Sequence, residues 1–274
     1  MRQKVSKAVD PSLYDREYFL SHCEGYTEFL AGGMSSRLKK AATFISDSET
    51  LRILDVGCGR GEFVKYMTTK GHTCDGIDYS KDAVEIALES ARQDLSSDDL
   101  RNCRFHLMDS TDMRFDDGTF DLCLMLDIIE HLYPPALEKT LNEVHRVLKP
   151  GGRLIIHTVP NKWVIKPARL AMRISRIQSE EARHVNEQSI FTLKKAIRRS
   201  YRGRIWIERE KGFWSFWAQS SRRAQSKLIT RLLRALDLFL DTRIVSSLID
   251  LPPFVFFCGT DIWGDLVARE KVIE

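Results

Sequence analysis

The stretch at residues 53–63 constrains the fold of this chain more than any other. It reads Ile-Leu-Asp-Val-Gly-Cys-Gly-Arg-Gly-Glu-Phe. The apolar first half predicts a buried parallel strand, which three alternate glycines end before an amphipathic pattern begins at Phe63. A strand, a glycine turn and a helix let the backbone approach a ligand closely and aim a helix N-terminus at it. We therefore expect an α/β fold with a ligand-binding turn at Gly57–Gly61.

A second acidic strand end follows the turn. Asp78 ends a short apolar run 17 positions after Gly61, near the roughly 20-residue spacing of a ribose-binding carboxylate, and Ser80 is placed to cap the next helix. The glycines are spaced G-x-G-x-G instead of the dinucleotide pattern G-x-G-x-x-G, and an acid, Asp55, precedes them. A carboxylate there would repel a pyrophosphate but would suit a cationic amino-acid group.

The segment Leu54–Gly61 resembles the first motif of the class I S-adenosylmethionine-dependent methyltransferases. A second match is the run Leu148–Gly152, Leu-Lys-Pro-Gly-Gly, between a predicted helix and a predicted strand. The resemblance covers residues 50–160, and it is to the ubiquinone-type O-methyltransferases and the type 11 methyltransferases. It implies a doubly wound, Rossmann-like sheet of seven strands, S-adenosyl-L-methionine as cofactor, S-adenosyl-L-homocysteine as product, and methyltransferase activity.

The resemblance also implies a set of cofactor-binding residues. In this family an acid after the third strand bonds the adenine amine, and Asp109 stands at that position; a helix cap or a turn aspartate is the alternative. The candidate cofactor-binding residues are Asp55, Gly57, Cys58, Gly59, Gly61, Asp78, Tyr79, Asp109, Ser110 and Asp127.

The fourth predicted strand, Phe120–Asp127, delivers the candidate catalytic residues Glu130 and His131. Open α/β sheets bind ligands outside the carboxyl ends of their strands, so we expect methyl transfer here. Histidine is a suitable base near neutral pH. In many members of the family, however, this Glu-His pair orders the loop and no histidine base is used. Both interpretations of His131 remain open.

A metal site is a further alternative at the same place. Ubiquinone-type O-methyltransferases carry Glu-x-x-Glu-His here, implicated in divalent-metal binding, and this chain departs from that motif only at Asp127. Asp127, Glu130 and His131 could thus hold a divalent metal, whereas the preferred prediction is a site without one. Cyclopropane-fatty-acid synthases also show Glu-His at the equivalent place, which keeps methylation of a lipid carbon as an alternative.

The second half of the chain is strongly basic. Residues 162–234 hold 19 Lys and Arg against 5 Asp and Glu, a local +14 that leaves −10 for the remainder. Within it, the block 211–251 combines an aromatic cluster at 213–217 with an apolar helix that carries Arg231 and Arg234. We expect this block to cover the acceptor side and to associate with an anionic membrane or amphiphile. The alternatives are a helical cap packing its own apolar residues and an RNA acceptor, although no nucleic-acid-binding module is recognisable.

These patterns predict three regions. The N-terminal helical lid (1–50) has Tyr14 and Tyr18 as lid residues, with one helix starting at Pro11 and another within residues 29–44. The cofactor-binding core covers 51–160. The substrate-side region (161–274) has a helical insertion at 211–251 and closing strands at 254–259 and 262–268, where the resembled family ends its sheet in an antiparallel hairpin. Six scattered cysteines and the absence of a long apolar run predict a cytoplasmic protein that could lie against the inner membrane face. The predicted function is O-methylation of a small or lipid-linked acceptor. An RNA- or lipid-carbon-directed methyltransferase, or a non-catalytic binding scaffold, are the alternatives.

Overall fold

The computed structural model describes residues 9–159, 161–166, 184–208, 227–242 and 260–269. Its strands are β1 (Arg52–Val56), β2 (Thr73–Asp78), β3 (Cys103–Leu107), β4 (Phe120–Leu126), β5 (Leu148–Thr158), β6 (Tyr201–Glu208) and β7 (Asp261–Ala268). They form one sheet in the order β3-β2-β1-β4-β5-β7-β6. The first five strands are parallel, and β7 runs antiparallel to both of its neighbours. The predicted seven-stranded doubly wound fold is confirmed.

The described helices flank this sheet. They are α1 (Arg16–Ser21), α2 (Tyr26–Leu30), α3 (Ser36–Ala42), α4 (Glu62–Thr69), α5 (Lys81–Asp94), α6 (Ser97–Asn102), α7 (Pro134–Val147), α8 (Ile190–Ile197) and α9 (Lys227–Leu240). Single 3-10 turns occupy Pro11–Leu13 and Ile129–His131. The Ser80 side chain accepts a hydrogen bond from the amide of Ala83 at 3.2 Å, as expected of the cap of α5.

The core lies on both faces of the central strands. Residues 122–126 of β4 are all buried, which explains why this strand is a continuous apolar run without alternation. On one face Met125 packs in a cluster with Leu141 and Val144 of α7. On the other, Leu124 packs with Phe63 and Met67 of α4. Each such side chain contributes about 1.5–3 kcal/mol of transfer free energy when fully buried, so the strand ends are held on a rigid base.

The N-terminal segment follows the sequence prediction in part. The helix predicted within residues 29–44 is present as α3 (Ser36–Ala42), but it is shorter than that range, since α2 ends at Leu30 and a break separates the two helices. Gly32, between them, has a left-handed backbone (φ +75°), which ends a helix. The helix predicted from Pro11 is likewise divided, because Asp15 starts α1 by accepting a hydrogen bond from the amide of Tyr18.

The end of the sheet confirms the predicted antiparallel closure. β7 covers the strand predicted at 262–268, and it pairs with β6 although a long connection separates them in sequence. The strand predicted at 254–259, the aromatic cluster at 213–217 and most of the basic segment 161–181 lie outside the described residues. Among the residues that are described, no helix has both the length and the apolar character needed to cross a bilayer.

Candidate functional site

The glycine turn after β1 needs glycine for conformation and for space. Gly57, Gly59 and Gly61 all have positive φ values, of 78°, 52° and 77°. A Cβ atom on Gly61 would lie 2.6 Å from the ring of Phe105, and one on Gly57 would lie 2.9 Å from Cδ1 of Ile128. Larger residues are therefore excluded at these two positions, and the main chain itself forms the surface of the turn.

Asp78 connects the ends of β1 and β2. Its carboxylate accepts hydrogen bonds from the amides of Gly59 at 3.0 Å and Ser80 at 2.8 Å. Burial raises the pKa of Asp78 to about 6, although these amide hydrogen bonds favour the ionised form. Because a carboxylate offers about four lone-pair positions, Asp78 can still accept hydrogen bonds from the hydroxyl groups of a ligand.

Asp55 adds a second buried carboxylate at the end of β1. Burial, together with the charges of Glu62, Asp78 and Asp127, raises the pKa of Asp55 to about 7. Such a concentration of buried acids is unfavourable by itself. A cationic ligand would stabilise the ionised carboxylates, so this part of the site fits the cationic amino-acid portion of S-adenosylmethionine.

The remaining candidate cofactor residues lie around this turn. The amide of Met108 donates to the carbonyl of Asp78 at 2.9 Å, which places the exposed Asp109 next to the end of β2. The Asp109 carboxylate accepts from the amide of Thr111, whereas the buried Ser110 hydroxyl bonds Thr140 of α7. Cys58 is buried, and its burial raises the thiol pKa well above the usual value. Ser110 therefore contacts the protein interior, while Asp109 is open to a ligand.

The N-terminal segment contacts the site through Tyr14. Its hydroxyl lies 2.8 Å from Nδ1 of His131, and its carbonyl accepts a hydrogen bond from the Ser80 hydroxyl at 2.7 Å. The Tyr14 ring packs against the rings of Tyr79 and Tyr18 at centroid distances of 5.6 and 5.3 Å. Both predicted lid tyrosines thus lie in one aromatic group next to His131.

Glu130 holds a second distant segment against the site. Its backbone carbonyl accepts hydrogen bonds from the amides of Val185 and Asn186 at 2.9 and 3.0 Å. These bonds bring His184 to His131, with ring centroids 4.9 Å apart. The Glu130 side chain is buried and accepts from the Thr158 hydroxyl at 2.8 Å. Burial, with the charge of Asp127, raises the pKa of Glu130 to about 7.

Asp127 does not join Glu130 and His131 in the way that the metal alternative supposes. Its Oδ1 lies 2.5 Å from Nδ1 of His157 and 3.4 Å from Nη1 of Arg37. His184 takes its place: single ligand atoms of Glu130, His131 and His184 all lie within 4.8 Å of one another.

Sequence reasoning missed three residues of this site: His157, Arg37 and His184. For His157 a signal existed, since a lone histidine interrupts the apolar run of β5 and a buried polar group requires a partner. Arg37 and His184 lie in segments whose patterns do not point to the site, and only the tertiary structure brings them there.

Comparisons with known proteins agree with this geometry. A family model described as a methyltransferase domain matches residues 54–156. The chain is 32% identical over 110 residues to a sterol 4-C-methyltransferase of Caenorhabditis elegans, covering 40% of this chain and 31% of that protein. It is 34% identical over 124 residues to a ubiquinone biosynthesis O-methyltransferase of Alkalilimnicola ehrlichii, covering 45% and 47%. The chain thus spans less than half the length of these relatives.

Among solved structures, the [4+2]-cyclase SpnF superposes with a TM-score of 0.62 over 96% of this chain and 98% of that one. At 17% identity this likeness shows a shared fold and nothing about activity. The family match is more specific, since it covers both the glycine turn and the Leu-Lys-Pro-Gly-Gly run. Residues 54–156 therefore match a methyltransferase domain, as the resemblance to the class I S-adenosylmethionine-dependent methyltransferases predicts.

Proposed function

We propose that the whole chain is an S-adenosylmethionine-dependent methyltransferase that methylates an oxygen of a small or lipid-linked acceptor, with His131 as the base. The observation that carries the proposal is the position of His131. It lies just beyond the end of β4, is hydrogen-bonded to Tyr14, and acts electrostatically on Asp127, whose charge in turn acts on the buried Asp55 at the glycine turn. Base and donor site thus share the carboxyl ends of neighbouring strands, where open sheets bind ligands.

On the donor side, each strand end has a proposed role. S-Adenosylmethionine, when bound, supplies an activated methyl group. Asp78 accepts hydrogen bonds from the ribose of S-adenosylmethionine, and Asp109 accepts one from its adenine amine. The carboxylate of Asp55 balances the positive charge of its amino-acid portion. The backbone of Gly57, Gly59 and Gly61 gives it close access, with Cys58, Tyr79 and Asp127 as further members of the proposed donor site, whereas the buried Ser110 supports that site from the protein interior.

On the acceptor side, His131 accepts the proton of the attacking hydroxyl group. The Tyr14 hydroxyl occupies Nδ1 of the ring, so the proton goes to Nε2. This requires the tautomer in which Nδ1–H donates to the Tyr14 oxygen, because a proton already on Nε2 would prevent base action. A protonated His131 and the ionised Asp127 stabilise each other. Glu130 is buried, and its backbone carbonyl holds the segment of His184 next to His131, so we assign it a positioning role.

A transfer assay tests the proposal. We expect label from methyl-labelled S-adenosylmethionine to appear in a lipid or small-molecule fraction of a cell extract, with wild-type protein and not with the Asp78→Asn variant. Carbon-13 NMR of the labelled product then distinguishes an oxygen-bound from a carbon-bound methyl group. Donor binding without any transfer would support the scaffold alternative, and a carbon-bound methyl group would contradict O-methylation.

We also propose that α9 attaches the protein to anionic lipid. Arg231, Arg234 and Leu238 are spaced to share one helix face, and all three are exposed. Leu238 and Phe239 are 73% and 60% exposed, unusual values for large apolar side chains on a helix. Basic residues beside exposed apolar ones are typical of helices that lie in a membrane interface.

Sedimentation with vesicles tests this attachment. Each basic residue near an anionic leaflet is worth about 1 kcal/mol, so the double variant Arg231→Gln/Arg234→Gln should bind anionic vesicles about thirtyfold more weakly. High salt should weaken the binding of the wild type, because the charges are screened. Equal and negligible pelleting with anionic and neutral vesicles would contradict the proposal and leave the helical-cap interpretation.

A further inference from the structure

A buried chain of alternating charges crosses the ends of β4, β5 and β7 behind the donor site. Asp127 Oδ1 lies 2.5 Å from His157 Nδ1, and Nε2 of the same ring lies 3.7 Å from Oδ2 of Asp261. The same oxygen, Asp127 Oδ1, also contacts Arg37. Arg37 in turn forms an ion pair with Glu24, which extends the chain of charges at that end. The His157 ring is 1% exposed and packs on Trp263 at a centroid distance of 4.3 Å.

The backbone at Asp127 is also held by His157. Asp127 has φ +58°, and among the described residues no other non-glycine residue has a positive φ. This conformation is sterically costly for a residue with a Cβ atom. The amide of Asp127 donates to the carbonyl of His157 at 3.1 Å. One residue of β5 therefore fixes both the main chain and the side chain of Asp127.

The contacts of Asp127 are one-sided. Both cationic partners bind Oδ1, and the described residues donate no hydrogen bond to Oδ2. The side chain is 31% exposed, so part of the carboxylate remains open. The carboxylate follows β4, where the donor site and His131 meet. One oxygen is thus committed to the protein, and the other can contact a ligand.

We propose that His157 is a positioning residue, which holds Asp127 as a fixed anion facing the cationic sulfur of the donor. The inference rests on the proposed donor site and adds to it a residue of β5 that contacts no ligand itself. His157 acts only through Asp127, and Arg37 and Asp261 support the arrangement from either side.

The titration behaviour of the pair agrees with this role. Burial opposes ionisation of Asp127, but Arg37 and His157 hold the pKa of that carboxyl well below its usual range. Burial likewise disfavours the charged ring, yet Asp127 and Asp261 raise the pKa of His157 to about 9. The charge of His131 also lowers the pKa of Asp127, and the charge of Asp127 raises the pKa values of Asp55 and Glu130. Between about pH 5 and 8 the pair stays ionised, whereas Asp55 and Glu130 titrate within that interval.

The test compares two ligands that differ by one methyl group and one charge. S-Adenosylmethionine has a cationic sulfur and S-adenosylhomocysteine a neutral one, so the ratio of their affinities isolates the charge at sulfur. Calorimetry at pH 7.5 should show about tenfold weaker binding of S-adenosylmethionine to His157→Leu, equivalent to about 1.4 kcal/mol. Binding of S-adenosylhomocysteine should change by less than about twofold. His157→Gln should give an intermediate ratio, because its amide can still donate one hydrogen bond.

The pH dependence of the ratio separates positioning from a general loss of structure. The comparison is made in a His131→Gln background, because the charge of His131 acts on Asp127 and its protonation would itself change the ratio. With His157 present, the ratio should be flat from pH 8 to pH 5. In His157→Leu it should fall as the pH is lowered, because Asp127 without its imidazolium partner takes up a proton more readily. Protonation of Asp55, Asp78 and Glu130 changes the affinities for both ligands, so its effect on the ratio largely cancels. His106→Gln is the matched control, since His106 also pairs with a buried aspartate, Asp75, at 2.8 Å.

An unchanged ratio at every pH in both His157 variants, with or without an equal loss of affinity for the two ligands, would overturn the proposal alone. A wild-type protein that binds neither ligand would overturn the donor site and this proposal together.

Discussion

The proposed donor side and the proposed acceptor side of this site are built in different ways. The donor side comes from consecutive strand ends within residues 52–109, and its surface is largely main chain: the glycine turn and the amides bonded to Asp78. The acceptor side consists of side chains from three segments that are distant in sequence, namely Tyr14, His131 and His184. Local sequence therefore specifies the first side, and tertiary contacts assemble the second.

This difference between a main-chain and a side-chain surface determines which residues of the site can be substituted. A main-chain surface tolerates few changes, because all three glycines there have a left-handed conformation and two of them, Gly57 and Gly61, also have a close neighbour. A surface of side chains on separate segments can be rebuilt residue by residue on the same fold. The two relatives described above illustrate this, since their names place the methyl group on a sterol carbon in one and on an oxygen in the other.

The largest expected effect lies in the glycine turn. Gly61→Ala would place a Cβ atom 2.6 Å from Phe105 at φ +77°, and we expect donor affinity to fall at least a hundredfold. Gly71→Ala is the matched control, because Gly71 has φ +90° but nothing within 4 Å of its would-be Cβ. It should cost about 1–2 kcal/mol of stability through backbone strain alone, without changing donor affinity. Thermal unfolding measures stability, and calorimetry measures donor affinity. An equal loss of donor affinity in Gly61→Ala and Gly71→Ala would contradict the account of the turn.

A comparably large effect, on turnover alone, is expected at His131. His131→Gln should lower the rate by about a hundredfold to ten-thousandfold, the usual contribution of a general base, while donor affinity stays within about threefold. Tyr14→Phe should lower it less, by about tenfold, because the ring of His131 remains but loses its hydrogen bond. Steady-state kinetics with the identified acceptor measures this. A rate within twofold of wild type for His131→Gln would make His131 a loop residue.

A moderate effect concerns pH, and it has opposite signs for binding and for stability. Asp55 and Asp78 have pKa values of about 7 and 6 in the folded protein, against 3.8 for an ordinary aspartate. A cationic ligand needs both ionised, so affinity should fall from pH 8 to pH 5.5. Without ligand, the folded state binds more protons than the unfolded state between pH 4 and 7, so these groups favour folding as the pH falls. Thermal unfolding with and without S-adenosylhomocysteine measures both trends, and a ligand-induced shift independent of pH would contradict the acidic donor site.

The smallest expected effect is that of metal removal. If His131 acts as a base, a chelator should change activity by less than twofold. Added Zn²⁺ should inhibit, because Glu130, His131 and His184 offer a carboxylate and two imidazoles within 4.8 Å. His184→Gln should relieve that inhibition while keeping activity. Activity that a chelator abolishes and a divalent ion restores would show that the metal alternative is correct.

The same contrast explains how much the sequence could predict. Asp55, Asp78 and Asp109 end or follow strands whose apolar runs are visible in the sequence, so their convergence follows from the rules of parallel sheets. The pairing of Asp127 with His157 and Arg37 depends on strand register and on the path of the N-terminal segment, which no local pattern encodes. The helix predicted within 29–44 is present as α3, and it is shorter than that range for a local reason, the left-handed Gly32.

The central claim is that strand-end carboxylates form the donor site. Calorimetric titration with S-adenosylhomocysteine tests this claim most directly. Asp78→Asn preserves shape but removes the charge that accepts hydrogen bonds at the end of β2. Asp75→Asn is the control, because it makes the same change on a buried carboxylate of the same strand, away from its carboxyl end. The account predicts at least thirtyfold weaker binding, about 2 kcal/mol, for Asp78→Asn and nearly wild-type affinity for Asp75→Asn. Wild-type affinity in a folded Asp78→Asn variant would contradict it.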